Sequence, residues 1–308
     1  MISAVYKNNK ALKKIWRFRY CYLLLLPAVV YVIIFNYVPM YGIQIAFRDY
    51  KVVLGFLGSP WVGFKHFISF FNSYYFTMLF KNTLLISFYS LVAGFPIPII
   101  LALAINEFRE TKLRKFIQTV LYAPHFISVV VLVGMIITIF SPSMGIVNTV
   151  REAMGLERLY YMAMPEAFRH IYVWSGIWQS MGWGSIIYIA ALSTVDMELH
   201  EAARIDGATR RQRIWHINLP TIAPTIVILF ILSMGNILTV GFEKIWLMQN
   251  NLNTEVSEVI ATYVYKRGIQ NLNYSFSTAV GLFNNVINVA VLLIFNTVSR
   301  KVSQTSLF

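Results

Sequence analysis

The sequence predicts an all-α, polytopic membrane protein with six transmembrane helices and both termini in the cytosol. Three observations carry that expectation. Hydrophobic residues make up 57% of the 308-residue chain and charged residues only 13%, with a mean hydropathy of +0.61; an ordinary soluble domain is about one quarter charged. Six segments, 20–47, 82–106, 116–150, 170–195, 214–242 and 268–299, contain no Asp, Glu, Lys or Arg, and each is at least 25 residues long. Roughly 20 helical residues cross a hydrocarbon core, and only helices or closed barrels satisfy their backbone there. Finally, segments 1–19, 107–115, 196–213 and 300–308 hold 16 basic residues in 55 positions, against 10 in 78 for 48–81, 151–169 and 243–267. The positive-inside rule therefore places both termini in the cytosol.

The elements follow in order. "YKNNKALKKIWRFRY" runs into "CYLLLLPAVVYVIIF", an apolar run too long for a signal peptide and without a small-residue cleavage site, hence an uncleaved first span. Cys21 is the single cysteine and can form no internal disulfide. The remaining uncharged segments supply spans two to six. A β-barrel would need many short alternating strands, and none is apparent. In span four, "MGWGS" at 181–185 is not a G-x-S-x-G nucleophile elbow; its small residues suit close helix packing. The net charge of +13 fits a membrane surface rather than nucleic acid.

Several chemistries are missing. No G-x-x-x-x-G-K-[ST] run exists to cradle a phosphate. The five histidines, at 66, 125, 170, 200 and 216, form no H-E-x-x-H pair, and no carboxylate cluster suggests a metal. An enzyme is therefore not expected. Ion-driven carriers usually keep ionisable residues within the membrane, and these spans have no acid, Lys or Arg. Energy for uphill transport would have to enter from outside the spans.

The place to look is "STVDMELHEAARIDGATRRQRIWHINLP", residues 193–220. Ser193 followed by Asp196 suits a helix start, and Gly207 suits a C-terminal cap. Thr209 and Gln212 match a capping box for a second helix, which continues to Pro220. Leu199, Ala202, Ala203 and Asp206 share one shallow face, with Glu201 and Arg204 at its edge. That face suits either a protein partner or the lipid surface.

Glu201-Ala202-Ala203, three residues, Gly207, nine residues, Ile217, one residue, Leu219-Pro220 resembles the EAA motif of permease subunits of binding-protein-dependent ABC importers. The resemblance implies a MetI-like five-helix permease core over 78–300, with a cytosolic coupling helix at about 196–213. Before it would come a cytosolic segment 1–19 and a first span with its extracellular loop over 20–77; a cytosolic tail would follow at 301–308. It also implies that Glu201, Ala202, Ala203, Asp206 and Gly207 meet an ATP-hydrolysing subunit. ATP and Mg would be bound by two such partner subunits, leaving no cofactor or metal in this chain. A second, homologous permease subunit in a heterodimer, with a homodimer as the alternative, an extracellular solute-binding protein and membrane lipid complete the implied partners, with no nucleic acid. "NYVPMYGIQIAFRDY" (36–50), "WVGFKHF" (61–67), "LYAPHFIS" (121–128) and "YSFSTAVGLFNNVIN" (274–288) resemble the branch of that family importing oligosaccharides from complex polysaccharides.

Uncharged polar residues within spans are then the candidates for a sugar pathway. Tyr188, Asn236, Asn285 and Asn288 are the residues expected on it; Asn285, Asn288 and Asn296 share a helix face with Asn284 beside them. Interhelical hydrogen bonding is the other use for such amides. Trp174 and Trp178 suit either sugar stacking or an interfacial aromatic belt. Glu243 and Lys244 are expected in an outer loop, available to a binding protein. The alternatives to an importer are a passive channel or facilitator and a membrane scaffold without ATPase coupling.

Overall fold

The computed structural model describes residues 14, 16–108 and 111–303. Most of the basic segment expected at 1–19 and of the tail expected at 301–308 lies outside the described residues. Among those described, no β-strand forms, and Arg48 and Trp61 make one isolated antiparallel bridge.

Helix α1 spans Arg19–Phe47. Its middle loosens into a π-helical segment, Ile33–Tyr37, just ahead of Pro39. A proline ring collides with the carbonyl four residues back, here Phe35, and the wider π turn opens that spot. The N-terminal two-thirds of α1 is exposed along its length, whereas Tyr41–Phe47 packs on the last helix of the chain. A short helix, α2 (Lys65–Phe71), leads into α3 (Phe76–Asn106).

Next come α4 (Thr111–Phe126) and α5 (Val129–Ile139), bent by 95° to one another. Ser128 caps α5 by accepting the Val131 N–H. A further short helix, α6 (Ile146–Ala153), precedes α7 (Pro165–Leu192). With 28 residues, α7 is about 42 Å long at 1.5 Å per residue. Among the described residues, the helices long and apolar enough to cross a membrane are α1, α3, α9 (Arg210–Met234) and α12 (Tyr274–Ser303), with the bent α4–α5 pair as one more. Polar residues such as Gln179, Ser180 and Ser185 keep α7 outside that set, and its position explains why. It packs against α3, α4 and α9 and so is lined largely by protein. Between α7 and α9 lies α8 (Met197–Ile205); between α9 and α12 lie α10 (Phe242–Met248) and α11 (Ile260–Tyr265).

Hydrocarbon outside the spans is as apolar as the core, so close packing rather than escape from water holds these helices together. One core, including Ile86, Val133, Ile136, Phe168, Ile177, Ile245 and Met248, joins α3, α5, α7 and α10. A second, around Phe70, Leu79, Ile260, Tyr263 and Val280, ties α2 and α11 to α3 and α12. A third, of Ala102, Tyr188, Leu192, Val195 and Ile222, closes the end of the bundle next to α8. Gly182 brings α7 against the backbone of Leu121 in α4, and Gly184 rests on Pro98 in α3.

Candidate functional site: a rigid helix–turn–helix below a polar cleft

Asp196 starts α8, its carboxylate accepting the Glu198 N–H at 2.9 Å. Ser193, expected at the helix start, instead donates back to the Ala190 carbonyl at 2.7 Å and ends α7. Glu198 in the first turn and Arg204 in the last suit the helix dipole. At the other end Gly207 has φ +81°, a conformation costing an L-residue about 1–2 kcal/mol. Its N–H donates to the Arg204 carbonyl and the Ala208 N–H to the Ala203 carbonyl, at 3.1 and 2.8 Å. This pair of bonds is a Schellman cap. The expected capping box is present: Thr209 Oγ1 accepts the Gln212 N–H while Gln212 Oε1 accepts the Thr209 N–H.

Both ends of the turn are therefore satisfied within the chain, and the loop is stiff without a partner. Glu201, Ala202, Asp206 and Gly207 are exposed, Ala203 is half-buried, and His200 on the opposite face is buried. Ile205 is 87% exposed, with Leu199 and Met197 also open. After the second cap, α9 passes through another π-helical segment, Ile214–Asn218. Pro220 follows and opposes the carbonyl of His216, the same local cause as in α1.

Above this loop, α3, α7, α9 and α10 enclose a cleft of about 690 Å³. Its wall runs along α7 from Tyr172 to Tyr188, a rise of about 24 Å. Neutral hydroxyls and amides punctuate an otherwise apolar lining: Ser87, Gln179, Ser180, Ser233, Asn236 and Thr239. Gln179 is pinned by donating to the Ile127 carbonyl at 2.8 Å, at the α4–α5 bend. Ser180 and Ser233 donate to carbonyls four residues back on their own helices, leaving their oxygen lone pairs free to accept. Ser87 Oγ has no protein partner.

Two of the four residues expected on a pathway, Tyr188 and Asn236, line this cleft. The other two do not. Asn288 is buried, its Oδ1 accepting the Leu238 N–H at 2.9 Å and its Nδ2 donating to Thr239 Oγ1 at 3.1 Å. Asn284 adds a long bond to the Leu238 carbonyl, at 3.5 Å. These amides hold the irregular turn after α9, the interhelical use left open by the sequence. Asn285 faces a separate pocket of about 600 Å³ beside Phe242, Tyr265 and Tyr274. Trp174 donates to Tyr89 Oη at 2.9 Å, and Tyr89 in turn meets His170 Nδ1 at 2.9 Å.

Lys244 is the lining residue that the sequence misplaced. Instead of extending from a loop beside exposed Glu243, it is 8% exposed and borders the cleft. Ile245 and Met248, one and four residues after it along α10, anchor that short helix in the first core. The surrounding loop is held by Asn250 and Asn253, both donating to the Met162 carbonyl. Burial removes water from the Lys244 ammonium and pushes its pKa down to about 8. No group of three or more His, Cys, Asp or Glu that could hold a metal occurs among the described residues.

Residues 94–304 match the family model described as the binding-protein-dependent transport system inner membrane component. The polygalacturonan/rhamnogalacturonan transport system permease protein YteP of Bacillus subtilis (strain 168) is 41% identical over 302 residues, covering 98% of this chain and 94% of that one. Protein LplB of the same organism is 43% identical over 292 residues, covering 95% and 92%. A solved bacterial ABC transporter involved in the import of the acidic polysaccharide alginate contains a chain that superposes with a TM-score of 0.88. It is 43% identical, and the match covers 96% of this chain and 99% of that one. A bacterial alginate ABC transporter solved in complex with an alginate pentasaccharide-bound periplasmic protein also contains a chain that superposes with a TM-score of 0.88 at 43% identity, the match covering 96% of this chain and 99% of that one.

Proposed function

The chain belongs to the family of binding-protein-dependent transport system inner membrane components, and from that premise we propose that it is the permease subunit of an ATP-driven ABC importer for oligosaccharides derived from polysaccharides. Six spans with both termini in the cytosol fit the distribution of basic residues. The chain itself hydrolyses nothing: two partner subunits bind ATP and Mg, a solute-binding protein delivers cargo from outside, and a second permease completes the pathway. The exposed apolar face of α1 and the open side of the cleft suit that second subunit.

The observation carrying this reading is the link between α8 and the cleft. Val195, one residue before the α8 cap, packs in one cluster with Leu192, Ile222 and Tyr188. Tyr188 also lines the cleft. Closure of the ATPase subunits moves α8, and the doubly capped turn passes the movement on without bending. The shared cluster then shifts the ends of α3, α7 and α9, changing the cleft at Tyr188. Glu201, Ala202, Ala203, Asp206 and Gly207 make the contact, with Ile205 as an apolar neighbour on the same exposed turn.

The test is reconstitution of the full complex in liposomes. Glu201→Lys and Gly207→Pro are expected to abolish ATP-driven oligosaccharide uptake and binding-protein-stimulated ATPase while the spans still fold. Absence of a co-purifying ATPase, uptake that proceeds without ATP, or an ATPase rate indifferent to both substitutions refutes the importer reading in favour of a channel or scaffold.

A further inference from the structure

Among the described residues, Lys244 is the one charged residue lining the cleft. Its Nζ donates to the Tyr172 carbonyl at 2.8 Å and lies 4.8 Å from the centre of the Tyr172 ring. An ammonium has three N–H donors, and that carbonyl takes one. No carboxylate forms an ion pair with it among the described residues. The site also keeps room for the charge, since a Cβ at Gly176 would stand 3.2 Å from Nζ.

A buried ammonium without a counter-ion is costly. If its work were only to tie α10 to α7, a neutral donor would do so without that cost. Lys266, in contrast, is paired with buried Glu258 in the neighbouring loop, so this fold supplies carboxylates to lysines where it needs only structure. Along the same cleft stand neutral groups suited to sugar hydroxyls, among them Ser180, Ser233 and Asn236.

We propose that Lys244 reads a carboxylate on the cargo, so that the oligosaccharide passed by this cleft is built from uronic acids. The inference rests on the importer reading above and adds the chemical class of its cargo and the residue that selects it. One ammonium matches a monoanion. A phosphate or sulfate group is usually held by several donors, with an arginine fork or a run of backbone N–H groups, and the lining contains no arginine among the described residues. A single cation already shared with a carbonyl also holds cargo weakly enough to release it, as a pathway requires.

The experiment uses the complete complex in lipid nanodiscs, without the binding protein so that the cleft alone is tested. Binding of trigalacturonate and of its carboxyl-reduced, neutral counterpart is measured for wild type, Lys244→Gln and Lys244→Arg. Wild type is expected to prefer the acidic sugar at least tenfold, Lys244→Gln to lose that preference and Lys244→Arg to keep most of it. No preference in wild type, an unchanged preference in Lys244→Gln, or equal weakening of both sugars overturns the proposal. ATP-driven uptake by the wild-type complex in liposomes is scored separately. Its absence refutes the importer reading, whereas uptake without a Lys244-dependent preference refutes only the uronate inference.

Discussion

Gly182→Ala tests how closely α7 must seat against α4. A Cβ at Gly182 would lie 2.0 Å from the Leu121 carbonyl oxygen and 2.5 Å from its carbon. A comfortable carbon–oxygen contact is about 3.3 Å, so the two helices would have to part by about 1 Å. Both opposing atoms are backbone, and no rotamer change relieves them. A gap of that size forfeits a quarter to a half of the dispersion energy along the contact. Overpacking usually costs about 1–3 kcal/mol, and a collision with backbone belongs at the upper end. For a chain of 308 residues that is a fall in melting temperature of about 4–5 °C. The cleft should suffer as well, because Gln179, three residues earlier on α7, is fixed to the same α4–α5 bend through the Ile127 carbonyl. The assay is thermal unfolding of the purified complex in nanodiscs, with Gly281→Ala as control, where a Cβ meets nothing within 4 Å. If the two variants melt within about 1 °C of each other, the close approach of α7 and α4 is not what the geometry says.

Other substitutions separate bracing from function. Asn288→Leu removes two hydrogen bonds and strands the buried Leu238 N–H, costing about 2–4 kcal/mol; Asn285→Leu should change stability by less than about 0.5 kcal/mol, and equal melting of the two would refute the brace. Thr209→Ala with Gln212→Ala dissolves the capping box at about 1 kcal/mol, a small loss of stability but a larger fall in ATP-coupled uptake, because the turn then bends; full coupling in the double variant counts against a lever. For Lys244 the folded pKa of about 8 lies below the ordinary 10.5, so the unfolded chain holds the proton more tightly. The penalty is therefore complete below pH 8 and disappears as pH rises through 10.5. A depression of that size is worth about 3 kcal/mol; Lys244→Met should raise stability near neutral pH, by less than that because the bond to Tyr172 is lost, with the gain shrinking towards pH 10.5 in denaturation followed across that range. A gain independent of pH would show that the ammonium is not the source of the cost.

The elements that the sequence made legible are those determined locally. A cap needs only residues a few positions apart, so Thr209–Gln212 and the Gly207 stop could be read directly, and the gapped EAA spacing pointed to the same turn. The presence of the apolar helices was readable for the same reason, since a missing charge is a property of the segment itself, but their ends were not: segment 116–150 bends by 95° between α4 and α5, with α5 ending at Ile139, and within 214–242 the helix ends at Met234. The pathway residues were less legible because an amide within a span has two uses that look alike in one dimension. Asn236 borders the cleft and Asn288 braces the turn beside it, yet both are Asn in apolar surroundings; the difference is which neighbouring chain supplies a partner. Lys244 shows the opposite error. In sequence it belongs to a loop containing Glu243, Lys266 and Arg267, where exposure is the natural expectation. Its burial depends on Ile245 and Met248 seating α10 in a core formed with α3, α5 and α7, three elements remote along the chain. The signal that remained available was spacing rather than charge: in "FEKIWLM" Lys244 stands beside Ile245 and four residues before Met248, so on a helix the three fall on neighbouring positions, and the face that buries Ile245 and Met248 carries Lys244 in with it.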